Sequence, residues 1–306
     1  MDNNMISGEQ RDYRTGMLCA VGSFIMWGFL PVYWKALIPI NSYVIILYRI
    51  LLVGVFCFIT GCVCYGLKGI LEPLRDKKKV LILFFAGLLI SVNWSIYIYA
   101  VNSGQAIETT IGYYINPLVI CIFGMVLFRE KPNRYKLTSI ALAGCGVMVI
   151  LLYFMRIPLI ALSLALSFGI YAAIKKHMKM PAIITLFYET VFIVPIALAF
   201  IIYAEINGNG AFTAGAPYQL VLLLFAGVFT ATPLVTFAAA ANRVSLISIG
   251  ICQYIAPSIT LVISIFLFKE PFDKVQLLAF MIIWIGLAFF TYGEIRSGLK
   301  KGLNSK

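Results

Sequence analysis

The chain has 306 residues, 62% of them hydrophobic and 12% charged, and a formal net charge of +12. Soluble domains carry about 25% charged residues, so this composition excludes a water-soluble globular fold and points to a bilayer. The basic excess sits in short connections between apolar stretches, which argues against a nucleic-acid surface as its cause.

Ten stretches approach the ~20 apolar residues a spanning helix needs. They are predicted at 17–36, 42–66, 80–101, 106–128, 136–153, 157–174, 181–204, 217–241, 245–268 and 275–292. The first carries Trp27, Gly28, Pro31 and Lys35 on one helical face. Pro31 is expected to kink it, and Lys35 to reach toward its outer end. The polar residues before it read as a lead on the inner side rather than as a cleavable signal. The second stretch carries Arg49, about 7 residues or ~10 Å from its outer end.

Segment three presents Asn93, Trp94 and Tyr97 on one face. Glu108 opens segment four, where either the helix dipole or a functional role accounts for a carboxylate. Segment four then holds Ile111-Gly112-Tyr113-Tyr114-Ile115-Asn116-Pro117-Leu118. Pro117 removes one backbone donor, so a helix break is expected there, against protein or a wet cavity. Segment six carries Ser163, Ser167, Tyr171 and Lys175 on one stripe. Glu189 lies in segment seven, about 8 residues or ~12 Å from its inner end.

The Tyr-Ile-x-Pro run recurs 140 residues later. Tyr114, Ile115 and Pro117 meet Tyr254, Ile255 and Pro257, next to Gln253. Pro257 is expected to be the second break. At the same offset Gly87 meets Gly227, Asn102 meets Asn242, Glu130 meets Glu270 and Gly146 meets Gly286. Arg49 meets Glu189 and Lys35 meets Lys175, although segment six aligns better with segment one after a one-residue shift. The chain therefore divides into a half at 1–155 and a half at 156–306, each of five helices. Five is odd, so the second half enters the membrane in the opposite sense. The expected fold class is all-α, a polytopic membrane protein of ten helices in two inverted five-helix repeats.

Basic residues cluster at Arg11–Arg14, Lys68–Lys79, Arg129–Lys136, Lys175–Lys179, Arg243 and Arg296–Lys306. All of these fall on one side when the segments alternate. The other side carries only Arg156, Lys269 and Lys274. The positive-inside rule then places both termini in the cytoplasm.

The strings Trp27-Gly28 with Pro31, Asn93-Trp94 with Tyr97, Ala100-Val101-Asn102, Gly112 to Leu118, Glu189-Thr190 and Gln253-Tyr254-Ile255 with Pro257 resemble the RarD proteins. These form part of the EamA branch of the drug/metabolite transporter superfamily. The resemblance runs over roughly residues 14–295. It implies ten helices, an inverted repeat and an inner-membrane permease, with helices one to four and six to nine around a central cavity.

No metal spacing, nucleotide loop or hydrolase motif occurs in the sequence, so no cofactor and no enzyme activity are expected. The expected function is secondary transport that exports small organic solutes or drugs, with protons as the coupling ion to test. The alternatives are a phosphorylated-metabolite or amino-acid carrier, or an intramembrane enzyme. The expected partners are a small-molecule substrate and the bilayer. Trp27, Asn93, Trp94, Tyr97, Tyr113, Asn116, Gln253 and Tyr254 are the candidate substrate contacts, against a plain packing role. Arg49, Glu189, Glu108 and Lys35 are the candidates for coupling or ion pairing, since an intramembrane charge needs a partner or water. An ion pair between Arg49 and Glu189 is one reading, and independent roles are the other. Glu130 and Glu270 read as helix caps.

Overall fold

The computed structural model describes residues 3–102, 106–155, 159–269 and 274–303, with side chains over 10–97, 99–100, 108–155, 159–269 and 274–296. Glu270 and Arg156 lie outside the described residues. The helices are α1 (Asn3–Ala36), α2 (Ser42–Leu71), α3 (Lys77–Asn102), α4 (Ala106–Leu127), α5 (Arg134–Phe154) and α6 (Leu159–Met178). They continue as α7 (Ala182–Val191), α8 (Val194–Ile206), the short α9 (Ala211–Ala214), α10 (Pro217–Leu224), α11 (Ala226–Ala241), α12 (Leu246–Gln253), α13 (Ile255–Phe266) and α14 (Lys274–Leu303). No strand occurs among the described residues.

Among the described residues nine spans are long and apolar enough to cross a membrane, and the pair α7–α8, bent by 54°, makes a tenth if it is one span. The chain is thus a multi-pass membrane protein. Local chemistry sets the helix ends. Asn41, Asn133 and Ser245 cap α2, α5 and α12 by accepting from Tyr43, Lys136 and Ser248 N–H. Asp76 accepts from the N–H groups of Lys78 and Lys79 at the start of α3. Those bonds, that to Lys79 first, hold its carboxyl below the ordinary value. At Gly66, where the second segment is predicted to end, the backbone leaves helical geometry at φ 68°.

The prolines behave differently from one another. α1 runs through Pro31 and α4 through Pro117 without a break. One proline removes one bond, and in hydrocarbon the remaining ladder keeps a strong reason to persist. The Tyr254 hydroxyl also donates to the Tyr114 carbonyl, at 3.0 Å, beside the proline turn. The Pro257 span does divide, at Tyr254, and leaves the proline in the first turn of α13, where it is tolerated. Pro195 likewise stands at the start of α8 beyond the bend.

Contacts fall into matched sets. α4 packs on α6 as α1 packs on α13, α3 on α6 as α1 on α11, and α3 on α7 as α11 on α2. α5 packs on α14, and α4 on α12. The main core cluster, with Phe24, Tyr171, Phe237 and Ile251, draws on helices of both halves.

Glycines at these crossings show the register of each set. A Cβ on Gly146 would stand 2.9 Å from the Ala279 carbonyl, and one on Gly286 3.1 Å from that of Ser139. Those two contacts map onto each other at the 140-residue offset. Gly28 against Ile259 maps onto Gly169 against Val119, given the one-residue shift in segment six. One set does not map. A Cβ on Gly87 would strike the Glu189 carbonyl, whereas one on Gly227 would strike that of Leu52, not of Arg49. The α11–α2 contact is displaced by three residues, about 4.5 Å of helix rise.

Candidate functional site

Charges inside the spans occupy two places. Near the C-terminal end of α6, Lys175 Nζ lies 2.6 Å from Glu189 Oε1 of α7 and 2.6 Å from Thr185 Oγ1. The Tyr171 hydroxyl donates to Glu189 Oε2 at 2.9 Å. Lys175 and Glu189 are 3% and 1% exposed. Each charge faces its counter-ion and further polar groups, which is what tolerable burial of an ion pair requires. The pairing of Arg49 with Glu189 is therefore corrected. Lys175 stands one helix away at the same depth, whereas Arg49 lies nearer the opposite end.

Arg49 sits in the N-terminal part of α2 among rings. Its guanidinium carbon is 3.9 Å from the Trp94 ring centroid and 5.4 Å from that of Trp34. The rings of Tyr97 and Tyr113 are 6.0 Å apart, their hydroxyls hydrogen-bond, and both lie within electrostatic reach of the guanidinium. Arg49 Nε is buried without a hydrogen-bond partner, and no ion pair reaches Arg49 among the described residues. A desolvated cation–π contact contributes about 2 kcal/mol, against an insertion cost of at least about 2.5–3.5 kcal/mol for a mid-membrane cation. Rings also leave the N–H fork without acceptors. Tyr113 and Tyr97 are 49% and 37% exposed, so the rings beside the cation are reached from outside the protein core.

A cluster of rings packs around Trp27, next to Tyr171 through Phe168. Trp27 packs at 5.4 Å from Phe24, 5.6 Å from Phe237 and 6.2 Å from Phe168. Phe168 is the repeat counterpart of Trp27 under the one-residue shift.

The other candidates divide. Asn116 Oδ1 and Gln253 Oε1 are buried and unpartnered, on the facing helices α4 and α12. Asn93 instead gives its amide protons to Leu164 O and Ser167 Oγ of α6, both at 2.9 Å, and serves as a helix tie. Tyr254 is fully buried with its hydroxyl on the Tyr114 carbonyl, which removes it from the accessible set. Glu108 caps α6 rather than its own helix, accepting from Ile160 N–H at 2.9 Å. Lys35 Nζ lies 3.6 Å above the Phe268 ring.

The end rich in basic residues is stitched across the two halves. Glu130 accepts from Leu246 and Ile247 N–H at 2.9 and 3.0 Å and pairs with Lys176 at 3.4 Å. It is a cap, as its sequence suggests, but for α12 in the other half. Lys136 and Tyr13 converge on Glu294 at 3.2 and 2.7 Å, and Arg243 meets Asp12 at 3.0 Å. Sequence reasoning missed Tyr13, Lys136, Ser248 and Glu294, which carry no motif. It also missed Trp34, although that ring stands next to Lys35.

Two hollows lie away from Arg49 and Glu189. A groove of about 310 Å³ is lined by Leu74, Lys77, Val80, Leu81, Phe84 and Phe192. One of about 610 Å³ includes Glu130, Lys176, His177 and Arg243 and belongs to the ionic seal.

A family model described as the EamA-like transporter family matches this chain twice, over residues 14–152 and 155–292. The uncharacterized transporter YojE of Bacillus subtilis is 40% identical over 94% of this chain and 97% of its own length. An uncharacterized transporter of Vibrio cholerae is 31% identical over 95% and 96%. Protein RarD of Escherichia coli is 31% identical over 94% and 97%. A solved crystal structure, 14% identical, superposes with a TM-score of 0.70 over 90% of this chain and 96% of that one, a likeness of fold.

Proposed function

The chain belongs to the EamA-like transporter family and is a membrane transporter rather than an enzyme; on that premise we propose that it exports small organic solutes or drugs across the inner membrane by alternating access. The halves at 1–155 and 156–306 are the moving units in this reading, and both termini face the cytoplasm. One observation carries it. The contacts of α5 with α14, of α1 with α13 and of α4 with α6 keep the repeat register, while α11 on α2 is displaced by three residues from α3 on α7.

A fixed scaffold with one slid contact is what an inverted repeat caught in one of two states looks like. If the halves exchange conformations, Gly87 comes to face Phe192 and Gly227 comes to face Arg49. In the present state cross-half ion pairs and hydrogen bonds tie the end assigned to the cytoplasm, while Tyr113 and Tyr97 beside Arg49 stay partly exposed. Sliding α3 and α11 by about one turn, the kind of discrete shift packed helices allow, would reverse this. Driving such a shift requires the solute to bind the two states differently.

The test uses protein reconstituted in liposomes, with a panel of acidic, neutral and basic aryl solutes, with and without a pH gradient. Spin labels at the exposed Tyr99 and Tyr218 report the outer ends of α3 and α10. Flux above empty liposomes together with two label distances is expected. Flux with one fixed distance would overturn alternating access, and no flux of any solute would overturn transport. A pH gradient that leaves the flux unchanged removes protons as the coupling ion. Glu189 is not a free proton site in this arrangement, because Lys175 already neutralises it.

A further inference from the structure

Resting on the transport reading, we propose that the Arg49 site takes the carboxylate of a monoanionic solute with a flat apolar or aromatic body. A guanidinium presents a planar fork of N–H donors that matches a carboxylate bidentately. The Trp94 and Trp34 faces meet the charge but accept none of those donors in the plane of the fork. Nε is buried and unpartnered.

No ion pair reaches Arg49 among the described residues. Glu108 is engaged by Ile160 N–H. Glu205 is held by the Tyr48 hydroxyl and by the N–H groups of Ala211 and Phe212. Glu189 belongs to Lys175. A ligand must therefore bring the negative charge. Beside the fork, Trp94, Tyr97 and Tyr113 offer π faces against which a flat body stacks, and the exposure of Tyr113 gives it a way in.

The site also discriminates by charge. An amine would meet an unneutralised cation and be repelled. A phosphate dianion calls for a second cation, and the other buried one, Lys175, is already neutralised at the far end of the bundle. A neutral amide leaves the charge unmatched.

The experiment titrates the purified full chain in detergent with phenylacetate, phenylacetamide and phenethylamine. Melting temperature and tryptophan fluorescence are the readouts, in wild type, Arg49→Lys and Arg49→Met. Phenylacetate should raise the melting temperature and quench the fluorescence, and the amide and amine should do neither. Arg49→Met should weaken phenylacetate at least tenfold, with Arg49→Lys in between. Amide or amine binding as tight as that of the acid would overturn the proposal. So would an unchanged acid affinity in folded Arg49→Met, or no acid binding by wild type up to its solubility. If Arg49→Met fails to fold, the charge series on wild type and on Trp94→Leu decides, since loss of the ring should weaken only the acid. Flux of the same three solutes in liposomes separates the two readings. Flux without preference for the acid removes the anion assignment and keeps transport, whereas acid binding without flux of any solute does the reverse.

Discussion

Arg49 and Glu189 occupy matching positions in the two halves, yet they are solved in opposite ways. The chain surrounds Glu189 with Lys175, Tyr171 and Thr185, and the place is closed. It surrounds Arg49 with rings and leaves its buried Nε without a hydrogen-bond partner among the described residues. A buried charge that the chain neutralises itself becomes part of the scaffold. One that it leaves unpaired, with a way in, is suited to a visitor. The inverted repeat supplies two copies of a position, and divergence of the residues around it gives each copy its own task.

The sharpest way to break this contrast is to unpair the closed place. Glu189→Gln leaves Lys175 buried without its counter-ion and should cost about 3–5 kcal/mol, seen as a large fall in melting temperature and folded yield. Replacing both partners, Lys175→Met with Glu189→Leu, should recover most of that loss. A Glu189→Gln protein that melts like wild type would mean the pair is not a scaffold.

The glycine crossing beside Glu189 comes next. Gly87→Ala forces a methyl against the Glu189 carbonyl and should cost about 1–3 kcal/mol through strain, measured by thermal melting. It should also shift the distance between labels at Tyr99 and Tyr218, because α3 can no longer sit as close to α7. Gly144, with nothing near its Cβ position, is the control and should tolerate alanine.

Removing the Arg49 cation should act with the opposite sign. Arg49→Met relieves an insertion penalty that the rings only partly offset, so stability should rise by about 1 kcal/mol while solute recognition is lost. A fall in melting temperature as large as that of Glu189→Gln would erase the difference between the two places. The smallest effect is expected at Tyr254→Phe. It deletes one hydrogen bond to the Tyr114 carbonyl, worth about 0.5–1.5 kcal/mol, and should leave anion binding unchanged.

Much of this was legible in the residues. Low charge and ten apolar stretches dictate a helical membrane protein, because only internally satisfied backbone survives in hydrocarbon. The recurrence of Tyr-Ile-x-Pro, with glycines and glutamates at the same 140-residue offset, marks two related halves. Arg49, Trp94, Tyr97 and Tyr113 were visible as polar or aromatic groups at odds with their segments. Partners were not visible. Helical period places a side chain on a face and at a depth, and both Arg49 and Lys175 satisfied those terms for Glu189. Only the placement of α6 and α7 together against α3 and α11, which brings Lys175 Nζ within 2.6 Å of Glu189 Oε1, selected Lys175. Likewise nothing in the string tells that Pro117 stays within a continuous helix while the Pro257 span divides, or that Asn93 ties α3 to α6. Those outcomes depend on which neighbour supplies an acceptor or a donor within hydrogen-bond reach, a property of three-dimensional contacts that no local pattern carries.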